Sequence, residues 1–187
     1  DYKNRLAQRH GLLSKDRQTG EIKYGFIHGN WALDNSRPDG RWCGVNNELE
    51  ILQETGCFAD FTMPSAPDMT QTAKINSIYY AIGRPGKAKS HNSGTNAQEG
   101  KNNQNGLLMV QGPLMLNWKN RKAGIFPRIE NGFIGFDNPV NLDRIKLWID
   151  AGVHIKNKPE FIFIKLHTHG CQEQNADYLL NGGLNEL

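Results

Sequence analysis

Cysteine, long apolar runs and blocks of one charge are all scarce in this 187-residue chain. Cys43, Cys57 and Cys171 are too few and too widely spaced for a disulfide-dense scaffold, and no Cys-x-x-Cys pair offers a metal or redox motif. A bridge between Cys43 and Cys57 stays open. The longest apolar stretches, near Leu107 to Val110 and Phe161 to Ile164, fall far short of the roughly 20 residues that cross a bilayer as a helix. The 22 basic and 19 acidic side chains are scattered, with a formal charge of +3. No long basic block or basic-aromatic alternation marks a nucleic-acid partner. Neither a phosphate-binding Gly-x-x-x-x-Gly-Lys-Ser/Thr loop nor a dinucleotide fingerprint occurs, so no nucleotide cofactor is expected. The N-terminus lacks the basic, apolar and small-residue order of a signal peptide, which leaves cytoplasmic and exported locations both open.

What is present is an ordinary globular balance, 37% apolar and 22% charged, enough for one core. Residues 1–187 read as a single α/β domain. Asp1 to His10 resembles a helix remnant, and the chain stops soon after a plausible helix near Leu179, so a piece of a longer protein is expected. Asn47, with Val45, Leu49 and Leu52 as an apolar stripe, predicts a helix ending near Gly56. Strands are expected over Phe58 to Met63, Ile75 to Ile82 and Leu107 to Leu116, the last interrupted at Gly112-Pro113. Asn131-Gly132 signals a hairpin turn within Ile125 to Phe136. Asn141, Leu142, Ile145, Trp148, Ile149 and Gly152 mark a further helix. Residues 87–104, rich in Lys, Asn, Ser, Gly and Gln, read as a long, mobile polar excursion.

The most informative stretch is Phe161-Ile162-Phe163-Ile164-Lys165-Leu166-His167-Thr168-His169-Gly170, which predicts a strand ending in two histidines spaced two apart. In an extended chain both imidazoles share a face and can meet one metal, phosphate or sugar. Tyr24 to Trp31 predicts a second strand delivering His28 to a loop, with Asp34 following. His28, His167 and His169 are thus candidate metal ligands. One of His167 and His169 is alternatively a general acid, Asp34 is a candidate ligand, base or histidine orienter, and His28 is also a candidate hydrogen-bonding partner of the substrate, because imidazole and carboxylate move protons near neutral pH. Hydrogen-bonded structural histidines, and a turn capped by Asp34 and Asn35, are the plainer readings. Asp60 is a further carboxylate of less certain role. Asn30, Trp31, Arg37 and Arg41, with Trp42, suggest a sugar platform of aromatic faces and guanidinium forks, and Arg84 is a candidate for a substrate carboxylate. Core packing explains the tryptophans nearly as well, and turn formation explains Gly83-Arg84-Pro85-Gly86 better.

Gly25-Phe26-Ile27-His28-Gly29-Asn30-Trp31-Ala32-Leu33-Asp34-Asn35-Ser36, Gly40 to Val45, Gly56 to Pro67 and Ile164 to Gly170 together resemble a group of bacterial proteins placed near the NodB-like polysaccharide deacetylases. The resemblance implies a distorted or partial (β/α) barrel, a divalent metal such as zinc, and a polysaccharide or oligosaccharide substrate. It also implies a late Leu-x-His motif, which Leu166-His167-Thr168-His169 matches approximately. The chain has neither the Asp-Asp nor the His-x-x-x-His motif of those enzymes, and the resemblance places an additional histidine-rich strand before Asp1. Metal-dependent deacetylation is the leading expectation. A noncatalytic carbohydrate-binding or assembly component and a glycoside hydrolase are the alternatives, although no pair of carboxylates spaced for the latter is located. The oligomeric state is left open.

Overall fold

The computed structural model describes residues 2–101 and 105–181. Helix α1 (Tyr2–His10) lies on the surface with no buried residue. Strand β1 (Ser14–Lys15) turns back antiparallel on β2 (Ile22–Phe26). From β2 the chain passes two single-turn 3-10 helices, Gly29–Trp31 and Leu33–Asn35, and enters α2 (Glu48–Glu54). It returns as β3 (Cys57–Asp60), parallel to β2. Parallel neighbours require such a crossover because both strands must start at the same edge. Strands β4 (Ser77–Ala81), β5 (Thr95–Asn96) and β6 (Leu107–Gln111) complete a mixed sheet of order β1-β2-β3-β6-β4-β5. The α/β expectation holds at that level, but the sheet is open and forms no closed barrel among the described residues.

Apolar alternation explains the core. In β6, Leu107 and Met109 turn to one face and meet Leu49 and Leu52 of α2, together with Leu33, Cys57 and Tyr79. Leu108 and Val110 turn to the other face and pack with Ile78, Ala97 and Val153. Period-two strands covered on both faces produce these two clusters. Asn47 precedes α2 without a side-chain cap, whereas Asn141 Oδ1 accepts from Arg144 N and caps α3 (Leu142–Asp150) as its sequence predicts.

Three sequence expectations are corrected. The hairpin formed by β7 (Met115–Lys122) and β8 (Phe126–Glu130) turns at Ala123 and Gly124, both left-handed, rather than at Asn131-Gly132. Asn131-Gly132 ends β8, where Gly132 N donates to Glu130 Oε1 at 3.0 Å. The polar excursion at 87–104 is folded onto the sheet over most of its length. Ser90 and His91 are buried in a 3-10 turn, β5 pairs with β4, and Ala97 N donates to Ile78 O at 2.9 Å. A Cβ at Gly94 would strike the Tyr80 carbonyl and the Tyr79 ring, so only glycine allows this approach. Backbone-to-side-chain hydrogen bonds replace the apolar area the segment lacks; residues 102–104 lie outside the described part.

The third correction concerns 161–170, which is extended without being a sheet strand. Its single ladder contact among the described residues is a parallel bridge between Phe133 and His167. Phe161 to Ile164 are all exposed. A sheet strand thus follows α2, as β3, and none follows α3 among the described residues. The segment is held by Phe163 N to Val153 O at 2.8 Å, His167 N to Gly132 O at 3.1 Å, and Ile134 N to His167 O at 2.8 Å. The last helix, α4 (Glu173–Leu180), buries only Asn175.

Candidate functional site

Residues immediately beyond the C-terminal ends of parallel β2 and β3 meet the 165–169 segment around a cleft of about 330 Å³. Ligands gather at this position in α/β sheets because loops diverge there and leave space. The cleft brings together His28, Asn30, Trp31, His167 and His169, all singled out by sequence, and adds Lys165 and Thr62. Asn30 and Trp31 both adopt left-handed backbone angles, near φ 54°, which turn the loop back over the strand ends. Trp31 is 41% exposed, a usable aromatic face.

His28 is fixed from three sides. Its backbone N–H donates to Thr62 Oγ1 at 2.8 Å, and its Nδ1 donates to the Gly29 carbonyl at 2.6 Å. A carbonyl can only accept, so Nδ1 carries a proton and Nε2 is the remaining ligand atom. Nε2 lies 3.4 Å from Glu48 Oε1, and Cys43 Sγ lies 3.2 Å from Glu48 Oε2. His28, Cys43 and Glu48 form the one group among the described residues whose ligand atoms fit a metal ion, all within 4.8 Å of one another. Two nitrogen or oxygen ligands about 2.0–2.1 Å from a tetrahedral zinc stand about 3.3–3.4 Å apart, close to the His28–Glu48 separation. A carbonyl-bound Nδ1 is the usual second contact of a ligating histidine. Glu48 is held in turn by Asp34 N, which donates to its Oε2 at 2.6 Å.

His167 and His169 flank the Phe133 ring, with centroids at 5.6 and 5.5 Å. They share the cleft with His28 but are not part of its metal-capable group. Burial first, and then the Lys165 and His169 charges, push the His167 pKa down to about 4. At neutral pH His167 is therefore neutral, with an acceptor nitrogen of low basicity rather than the charge of an imidazolium.

Below the cleft, Lys165 Nζ donates to Phe61 O at 2.6 Å and to Met63 O. Desolvation lowers its pKa to about 8, opposed by the Asp60 carboxylate. Asp60 is fully buried, accepting from Thr62 N at 3.0 Å and Thr62 Oγ1 at 2.8 Å; burial raises its pKa to about 6. Asp60 thus supports the cleft floor through Thr62 and does not line the cleft.

Asp34 departs from its expected place. It is fully buried, its Oδ2 accepts from Ser90 N at 2.7 Å and from Ser90 Oγ, and His91 Nδ1 lies 3.9 Å away. Its role is to tie the 87–101 segment to the loop after β2. Arg37 and Arg41 also lie off the cleft, both bound to Asp39, whose carboxyl they hold far below the usual range; their guanidinium carbons stand 4.4 and 5.3 Å from the Trp42 ring centroid. Arg84 sits exposed in a turn closed by Lys87 N to Arg84 O at 2.9 Å, again outside the cleft. Cys43, Cys57 and Cys171 are all free, so the Cys43–Cys57 bridge is absent.

Sequence reasoning missed Cys43 and Glu48 as partners of His28. Glu48 offered only a first-turn acid of α2, and Cys43 only an isolated thiol; the loop at 36–47 makes them neighbours. Lys165 was legible through its shared parity with His167. No protein-family model, curated protein or solved structure matches this chain.

Proposed function

We propose that the chain carries the catalytic cleft of a metal-dependent deacetylase acting on an acetylated surface polysaccharide. One observation carries the reading: His28 belongs both to the histidine-lined cleft and to the group with Cys43 and Glu48 that can hold a divalent cation. Zinc bound there by three protein ligands would keep a position for water or an acyl oxygen and act as a Lewis acid. His167, neutral above about pH 4, accepts the proton of the attacking water. Lys165 has spent two of its three N–H donors on the Phe61 and Met63 carbonyls, and the third is free to face a developing oxyanion. Trp31 offers a face for a sugar ring, and Asn30 beside it offers amide hydrogen bonds.

The test is acetate release from a panel of N- and O-acetylated glycans by the zinc-loaded protein, with His28→Ala and His167→Gln as controls. Acetate release that is lost in both variants is the expected result; no release from any glycan by zinc-loaded protein overturns the reading. A second reading, a noncatalytic carbohydrate-binding component, draws on Trp42, 54% exposed beside Arg37 and Arg41. Glycan binding that is lost in Trp42→Ala but indifferent to chelator distinguishes it.

A further inference from the structure

The β7–β8 hairpin forms a separate two-stranded sheet, and every residue from 118 to 126 is exposed. Its turn presents Ile125 and Phe126, 67% and 66% exposed, and Trp118 on the adjoining strand is 58% exposed. Around this apolar tip stand Lys119, Arg121, Lys122 and Arg128. Lys122 lies directly opposite Phe126 across the ladder, so charge and ring leave the hairpin side by side. The hairpin's one acid, Glu130, is buried and consumed by Arg144 and Trp148. Lys119 pairs with Asp143 at 2.6 Å, while Arg121, Lys122 and Arg128 have no acidic partner among the described residues.

We propose that this hairpin docks the protein onto an anionic phospholipid surface. An aliphatic and aromatic tip ringed by unpaired cations has the two components that interfacial binding adds together, apolar insertion and attraction to acidic headgroups. The attraction of each Lys or Arg to such a surface falls off within a Debye length. Ile125 decides against a glycan as occupant, because a branched aliphatic at the tip offers neither a flat stacking face nor a hydrogen bond. The register shift inside β7 is braced by side chains: Asn117 Oδ1 accepts from Lys119 N and Asn120 N at 3.1 and 3.0 Å, and Arg121 Nε donates to Trp118 O at 2.8 Å. The inference is independent of the chemistry assigned to the cleft.

The experiment is vesicle cosedimentation of the full chain with phosphatidylcholine alone and with phosphatidylcholine containing phosphatidylglycerol, at low and raised salt. Two variants accompany it, Lys122→Glu/Arg128→Glu and Ile125→Ser/Phe126→Ser, each with its circular dichroism checked. Expected is salt-sensitive partitioning to the anionic vesicles, weaker by about tenfold or more in each variant. Equal binding to both vesicle types, or to neither, overturns the proposal. So does retention of full binding by Ile125→Ser/Phe126→Ser. Size-exclusion showing a dimer that the tip variant converts to monomer, without vesicle binding, assigns the tip to a second copy and overturns it as well.

Discussion

His28 offers one ring nitrogen to its own loop and the other to Glu48, and this division makes the residue informative beyond its place in a strand-to-loop motif. With Nδ1 committed to the Gly29 carbonyl, Nε2 and the carboxylate face each other at 3.4 Å in a way that a shared cation satisfies. Chelator-treated protein titrated with zinc is expected to bind it at one site, and Glu48→Gln or Cys43→Ser to weaken that binding at least tenfold. His167→Ala leaves it unchanged, since His167 lies outside the group; isothermal titration measures all of these. Lys165 and Asp60 form the second informative pair. The carboxylate is the influence that raises the ammonium against burial, so Asp60→Asn is expected to move the pH midpoint of Lys165 acylation below about 8, read by mass spectrometry of the modified peptide. His167 carries a stability consequence of definite sign. Its folded pKa is about 4 against an ordinary value of 6.5, so the unfolded chain takes up a proton that the folded chain refuses. Stability is lost as pH falls from about 6.5 toward 4, and His167→Gln flattens that limb of a denaturation series.

At the scale of elements, α3 is held to the rest of the molecule by a buried ion pair rather than by apolar area alone. Arg144 Nε and Nη2 donate to the two oxygens of Glu130 at 2.7 and 2.9 Å, and its Nη1 reaches the carbonyls of Asn138 and Pro139 at 2.6 and 2.8 Å. Burial would raise the Glu130 carboxyl, but hydrogen bonds from Arg144, Trp148 and Gly132 outweigh it and leave the pKa below the ordinary value. Removing one partner strands the other's charge, so Arg144→Ala is expected to cost about 3–5 kcal/mol, measured by chemical denaturation. The loss falls on the 131–139 loop as well as on α3, because the same guanidinium satisfies carbonyls there. This role was invisible in sequence, where Arg144 stands between Asp143 and Ile145 and nothing local points to Glu130.

Across the whole molecule, the polar segment after β4 is tied to the site by Asp34. That carboxylate binds Ser90 while its own backbone N–H holds Glu48, so one residue joins the 87–101 segment to the metal-capable group. Asp34→Ala is expected to accelerate tryptic cleavage after Lys87 and Lys89 severalfold, since lost buried hydrogen bonds of this kind cost about 1–3 kcal/mol. The sequence by itself determined the α/β class, the helix capped by Asn141, the central strands and the five cleft residues His28, Asn30, Trp31, His167 and His169. Those are consequences of local periodicity, capping and parity, which a residue's near neighbours specify. Only the tertiary structure decided that the sheet stays open, that 161–170 is a lone extended segment, that Asp34, Arg37, Arg41 and Arg84 stand off the cleft, and that Cys43 and Glu48 join His28. Each of these depends on which distant segments a strand edge or carboxylate finds as a partner, and burial, pairing and proton affinity are set by that partner rather than by the residue's place in the chain.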